Sequence, residues 1–265
     1  MEAVKLIAEY NDLGIAGVID HERFNLIAID HHSTRIEGST LTEVETQVLI
    51  NEGRTPNGKP IEESLMVTDH HAALLFALEN AKAKKSLDVL LLQSINSLVM
   101  KRTGKVYNTI LGTVDSATGA YRKGNVTAGV SYFPNFDKVE RLTKDLVKKL
   151  NDAMRQPLTI EKQLSLSFDA HFNLVSIHPY YDGNGRTSRL LMNYIQAYFG
   201  LPLAIVRSEN KAAYIQALID TREREDINIF RQFMVGEYTD MLKLEIAKFR
   251  EMQKPGKGGG FAFLF

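Results

Sequence analysis

The run Ile-His-Pro-Tyr-Tyr-Asp-Gly-Asn-Gly-Arg-Thr-Ser-Arg, residues 177–189, gathers a proton acceptor, a hard oxygen donor, two glycines and two guanidiniums into one short stretch. Gly183 and Gly185 weaken any helix or strand that crosses them, and Pro179 disfavours a helical conformation at the residue before it. The stretch therefore reads as a loop between two helices. His178 is expected at the exit of a helix over 161–177, held extended by Pro179, with the next helix beginning near Arg186. The first turn of that second helix presents backbone N–H groups without intrahelical partners. Gly183, Asn184 and Gly185 let the backbone approach a bound group closely and can form an anion nest in front of it. Arg186 and Arg189 are three apart and project from one side of the turn, and two guanidiniums beside a nest suit an oligophosphate better than a single carboxylate. Asp182 is placed to hold a Mg²⁺ ion bridging phosphate oxygens. His178 remains as the base near neutral pH. The chemistry these residues suit is nucleotide-dependent transfer, with the histidine activating an incoming hydroxyl.

A second run, His-His-Ser-Thr-Arg-Ile-Glu-Gly at 31–38, carries Ser33 and Glu37 four apart, on one face of a helical turn that Gly38 can stop. Thr42 and Glu45 then form a capping box for the next helix. Read alone, Ser33 is a cap and Glu37 a surface carboxylate. His21, His31, His32, His70 and His71 show no metal-ligand spacing and read as surface or packed residues.

The elements that must position these groups are mostly helical. Apolar periodicity marks helices through 68–84 (Ala72, Leu75, Phe76 and Leu78 on one side), 87–102 (Leu91, Ile95, Leu98, Val99) and 136–154 (Val139, Leu142, Leu146, Leu150). It continues with Leu164, Phe168 and Phe172 or Val175, then Leu191, Tyr194, Ile195 and Tyr198 up to a stop at Gly200, and two more helices follow. Residues 103–135 are rich in Gly, Thr, Ser and Asn, and Asn125–Phe133 is β-branched and aromatic enough for a short strand or hairpin.

The 265 residues are 44% hydrophobic and 24% charged, as in an ordinary soluble globular chain, and the formal net charge is zero. A general attraction to nucleic acid or anionic membrane is unsupported. Without cysteines there are neither disulfides nor thiolate metal sites, and with no signal-type or membrane-length apolar run the chain reads as cytoplasmic. The last stretch, 254–265, reads as a flexible basic-glycine tail, with docking of Phe261, Phe263 and Leu264 in a groove as the alternative.

The stretch His178–Arg189 resembles the signature of Fic-domain proteins, His-Pro-Phe-x-x-Gly-Asn-Gly-Arg-x-x-Arg, with Tyr180 where the aromatic is usually Phe. The extra hydroxyl needs a partner. The resemblance runs from about residue 24 to 220 and implies a mainly α, Fic-type helical bundle with a short β-hairpin flap. It implies AMP transfer from ATP to a Ser, Thr or Tyr hydroxyl of a target protein, with His178 as base and Asp182 as the Mg²⁺ ligand. Asn184 and the loop amides would hold the α-phosphate, and Arg186 and Arg189 the β- and γ-phosphates. Residues 121–134 resemble the flap that aligns the target as an added strand, with Val126, Thr127 and Ala128 on it. Asn210 and Tyr214 resemble a nucleotide-side Asn-Arg-x-x-Tyr segment in which Lys211 replaces the arginine. The 31–38 run resembles the inhibitory Ser/Thr-x-x-x-Glu-Gly/Asn motif. By that likeness Glu37 pairs with Arg189 and occupies the place the γ-phosphate needs. The implied layout is an N-terminal inhibitory segment (1–60), a catalytic core (61–205), C-terminal helices (206–253) and the tail. The partners are ATP and an unidentified target, with self-modification and self-association open. A Doc-like kinase is disfavoured because Gly185 stands where those relatives carry Lys. A nucleotide-sensing module without catalysis, removal of AMP, and transfer of another phosphate-containing group remain as alternatives.

Overall fold

The structure is a computed structural model that describes residues 2–18, 21–129 and 131–253; the tail and its aromatic residues lie outside them. Among the described residues the architecture is a mainly α bundle with two short antiparallel hairpins. At the centre runs α8 (Asn184–Phe199), every residue of which from Arg186 to Gln196 is buried. Wrapped on all sides, it has no single core-facing stripe, and Tyr198, expected on one, is only half buried. Packed around it are α7 (Ile160–Ile177), α4 (Ile61–Lys82) and α5 (Val89–Val99). Side-chain caps start two of these helices: Thr159 Oγ1 accepts from Lys162 N on α7, and Asp88 Oδ1 accepts from Leu91 N on α5. Fully buried side chains such as Phe168 and Leu191 each contribute about 1.5–3 kcal/mol.

In α4 the structure corrects the expected stripe. Ala72 and Leu75 are exposed, and the buried row is Ala73, Leu74, Ala77, Leu78 and Ala81. Small alanines let α4 approach α8 closely, and a count that weights Leu and Phe misses such a row.

The helix bearing Ser33, α2 (His21–Ile36), is fastened to α4 by one carboxylate. Asp30 is fully buried, and its two oxygens each accept a 2.6 Å hydrogen bond, from His70 Nδ1 and His71 Nδ1. Burial lowers the His71 pKa, but the Asp30 hydrogen bond and charge raise it by more, to a net value above 6.5. For His70 burial dominates and the pKa falls despite Asp30. A raised histidine pKa contributes stability that is present below the unfolded value and lost as pH rises through the folded one. Asp30→Ala is thus expected to cost about 3 kcal/mol in urea unfolding, more at pH 6 than at pH 8. A loss equal at both pH values would show that the histidines do not draw charge from Asp30.

α3 (Glu43–Glu52) opens on the expected capping box: Glu45 N donates to Thr42 Oγ1 and Thr42 N to Glu45 Oε2. The chain then passes through a hairpin that periodicity does not mark, β1 (Val106–Thr109) with β2 (Gly112–Asp115). Its two-residue tip is Ile110-Leu111, neither a turn-forming type, and the left-handed Gly112 (φ 103°) follows it. β3 (Thr127–Ala128) and β4 (Ser131–Tyr132) form the second hairpin inside the expected segment. After α6 (Phe136–Met154), α7 and α8, the helices α9 (Lys211–Arg224) and α10 (Ile227–Met252) close the fold, α10 lying on α1 (Glu2–Asp12). One core cluster runs from Ala3 to Ile246, so the N-terminal, central and C-terminal segments all contribute to it. Among the described residues no helix is long and apolar enough to cross a membrane.

Candidate active site

α7 ends at Ile177 as the sequence suggests, but His178 is left-handed (φ 53°, ψ 59°) rather than extended. Pro179 does stop the helix. The exit twist, however, is set by the helix's own last turn, in which His178 N still donates to Leu174 O at 3.0 Å. A non-glycine residue in this region costs roughly 1–2 kcal/mol, so its neighbours must hold it there. His178 Nδ1 donates to Val175 O at 3.3 Å. Because a carbonyl only accepts, the neutral ring carries its proton on Nδ1 and leaves Nε2 as the acceptor. Burial lowers the His178 pKa to about 4, and the Arg122 and Arg222 cations add to the fall against Glu37 and the Val175 bond. Phe133, just past β4, stacks on the imidazole at 3.9 Å.

Beyond the histidine, α8 begins at Asn184, two residues before Arg186, behind a left-handed Gly183 (φ 77°) that gives no side-chain cap. A Cβ at Gly183 would meet Asn96 Nδ2 at 2.8 Å, so the backbone is pressed against α5. The amide of Asn184 is spent on the loop itself: Oδ1 accepts from Tyr180 N and Nδ2 donates to Tyr180 O. Its side chain therefore shapes the turn, and the groups left free to meet an anion are the uncapped N–H groups at the start of α8. The Tyr180 ring is buried as a plug, but its hydroxyl finds no hydrogen-bond partner among the described residues. Asp182 Oδ1 accepts from Gly183 N at 2.5 Å and from Arg186 Nη2 at 3.3 Å, and the side chain keeps 46% exposure.

The two arginines differ. Arg186 is buried, and its Nε and Nη1 have no partner among the described residues. A buried cation with two unused donors beside an uncapped helix start suits an anion. Arg189 is saturated instead. Its Nε donates to Ser33 Oγ, Nη2 donates to Ser33 O and to Glu37 Oε1 (2.7 Å), and Nη1 reaches the Tyr214 hydroxyl at 3.5 Å. Ser33 and Glu37, four apart, thus converge on one guanidinium. Burial would raise the Glu37 pKa, but Arg189, Arg186 and Lys211 pull it below the ordinary carboxylate value. A Cβ at Gly185 would lie 2.5 Å from Glu37 Oε1, so this carboxylate rests against the glycine nest.

A cavity of about 700 Å³ opens between α9 and the loop, reaching His178, Gly185, Arg189 and Glu37 on one side and Tyr214, Ile215 and Leu218 on the other. Tyr214 lines it. Asn210 turns away, with Nδ2 donating to Glu237 Oε1 at 2.6 Å. Its helix-start neighbour Lys211 lines the cavity instead. Of the flap residues, Thr127 and Ala128 are exposed on β3 and Val126 is partly buried. Arg122, Phe133 and Arg222 reach the site without having been singled out in the sequence. Each is a lone residue in a loop or on a helix face, and no spacing rule marks it.

Residues 86–196, which span the loop and the helices on both sides of it, match the Fic/DOC family. The chain carries a Fic domain. Over 189 residues it is 32% identical to the protein adenylyltransferase fic-1 of Caenorhabditis elegans, covering 71% of this chain and 35% of that protein. Over 205 residues it is 31% identical to the protein adenylyltransferase Fic of Drosophila melanogaster, covering 77% and 39%. The chain therefore spans well under half the length of these curated relatives. In backbone it matches a Fic domain containing signaling protein from Bacteroides thetaiotaomicron with a TM-score of 0.81 at 22% identity, over 95% of this chain and 98% of that one. A Fic-1 fragment from C. elegans matches with a TM-score of 0.74 at 24% identity, over 94% and 73%. The Fic fold thus extends beyond the matched segment to nearly the whole chain.

Proposed function

We propose that this protein is an adenylyltransferase that moves AMP from ATP to a Ser, Thr or Tyr hydroxyl of a target protein, and that Glu37 restrains it. The observation that carries the proposal is the asymmetric arginine pair. Arg186 has donors to spare beside an uncapped helix start, and Arg189 is engaged by a carboxylate lying against the nest. The relatives named as protein adenylyltransferases support the same reading.

In this reading the triphosphate lies along the N-terminus of α8. Loop amides take the α-phosphate, while Arg186 and, once Glu37 withdraws, Arg189 take the outer ones. An incoming target strand aligns against the exposed edge of β3 by main-chain hydrogen bonds. His178 Nε2 accepts the hydroxyl proton, the hydroxyl oxygen bonds to the α-phosphorus, and the bond to the β-phosphate oxygen breaks to release pyrophosphate. Asp182, a half-exposed carboxylate beside the phosphate loop, suits Mg²⁺, which takes one or two carboxylates plus substrate phosphates. When bound, that ion neutralises phosphate charge.

ATP labelled at the α or, separately, at the γ position tests the reaction. Covalent α-label on protein is expected. Label only from the γ position would mean phosphoryl transfer, and binding without covalent label would leave a sensing module. Asp182→Ala is expected to abolish the Mg²⁺ dependence of ATP binding in calorimetry while leaving the melting temperature within a few degrees. An unaltered Mg²⁺ dependence would remove Asp182 from the metal site.

A further inference from the structure

Arg122 is among the largest fully buried side chains, at 2% exposure, yet among the described residues no carboxylate pairs with it, and burial lowers its pKa. A buried cation without a counter-ion costs several kcal/mol unless its nitrogens are hydrogen-bonded. Here each of the three guanidinium nitrogens donates to a backbone carbonyl, and the carbonyls come from three separate places. Nε donates to His178 O at 2.8 Å, Nη1 to Gly124 O at 2.8 Å, and Nη2 to Pro134 O at 2.5 Å. Its own backbone N donates to Pro179 O at 3.0 Å. Two of these bonds grip the left-handed turn that aims the imidazole. The other two grip the chain just before β3 and just after β4, the two feet of the flap hairpin.

We propose that Arg122 is a positioning residue for the transfer reaction: one planar guanidinium locks the His178 turn and both feet of the flap into a single frame. Base and target strand are then set at a fixed separation. The proposal rests on the transferase reading for its consequence, and on the contacts alone for its geometry. Only the fork of a guanidinium reaches three carbonyls in divergent directions. A lysine keeps the charge but is a point donor, and a glutamine loses both charge and reach. The nucleotide loop is held separately, by Asn184 on Tyr180 and by Asn96 Nδ2 on Asp182 O, so ATP affinity does not depend on Arg122.

The test uses Arg122→Gln and Arg122→Lys, each in the Glu37→Gly background, with self-labelling from α-labelled ATP as readout. Misplacement of a catalytic group by about 1 Å costs on the order of a hundredfold in rate. Both variants are expected to lose about that much in kcat with KM for ATP within threefold of the parent. A role confined to stability would lower the melting temperature and leave kcat intact well below it. The second measurement needs no transfer at all. The imidazole titration of His178 is followed by NMR in the otherwise wild-type chain and assigned by its loss in His178→Ala. Arg122 and Arg222 both depress this group, and Glu37 raises it. With Arg222 and Glu37 in place, Arg122→Gln should move the midpoint upward and Arg122→Lys should move it less. Should the Gln variant not fold, the Lys variant carries the kinetic test. Folded variants with parental kcat and an unmoved His178 titration would overturn the proposal. A parent that labels nothing, together with a shifted titration, would instead sink the transferase reading and leave the frame standing.

Discussion

Glu37→Gly is expected to raise α-label transfer, including self-labelling, by tens-fold or more over the wild-type chain with ATP and Mg²⁺. Glu37 holds Arg189 at 2.7 Å and its side chain is 30% exposed, so the pair is shielded but not sealed. Removing one partner of a buried pair costs about 3–5 kcal/mol, and partial exposure discounts that figure. Some 2 kcal/mol is still about thirtyfold. The freed guanidinium retains Ser33 and Tyr214 as partners, so it stays near its place and can accept a γ-phosphate. The apo variant should therefore melt lower than wild type, and Mg²⁺-ATP should raise its melting temperature by more. Arg189→Ala should not activate, because it deletes the phosphate ligand together with the restraint. A structural ion pair would respond alike to loss of either member. A Glu37→Gly protein that folds, binds ATP and labels no faster than wild type would end the inhibitory reading.

What made this site legible was density of chemistry within one loop and strict spacing in a second run. Four-residue spacing put Ser33 and Glu37 on one helical face, and both meet the same guanidinium. Nothing in the spacing said which arginine they would meet. That depends on α2 crossing the start of α8, a tertiary fact fixed by Asp30 and two histidines of α4. The His178 turn shows the opposite case. A local rule about residues before proline correctly ended the helix and missed the left-handed exit, because the helix's last turn sets that twist and Arg122 holds it from fifty-six positions upstream. Asn210 shows a third: its segment likeness placed it near the nucleotide, but Glu237 on α10 captures its amide and Lys211 faces the cavity. Periodicity located the helices, and it failed at α4, where small side chains form the packed face. Local patterns thus read elements and loops well, whereas partners set by crossing helices need the fold.

His178→Ala is expected to abolish measurable transfer in the Glu37→Gly background, since loss of a positioned general base costs about two to four orders of magnitude. ATP binding should survive, because the groups suited to the phosphates are backbone amides and arginines, and among the described residues the imidazole hydrogen-bonds only to Val175 O. The intact histidine also sets a pH signature. Burial, with Arg122 and Arg222, lowers its pKa to about 4. A base must be neutral to accept a proton, so transfer is retained above that value and lost as pH falls through it. Removing Glu37 deletes a charge that raises the pKa, which moves the limb further down rather than up. The acid limb of kcat/KM, which reports the free enzyme, should therefore lie near pH 4 or below, with a flat profile through neutrality. An acid limb at 6.5 or above would mean that the imidazole is solvated in the working enzyme. Parental transfer by His178→Ala would mean that another group takes the proton.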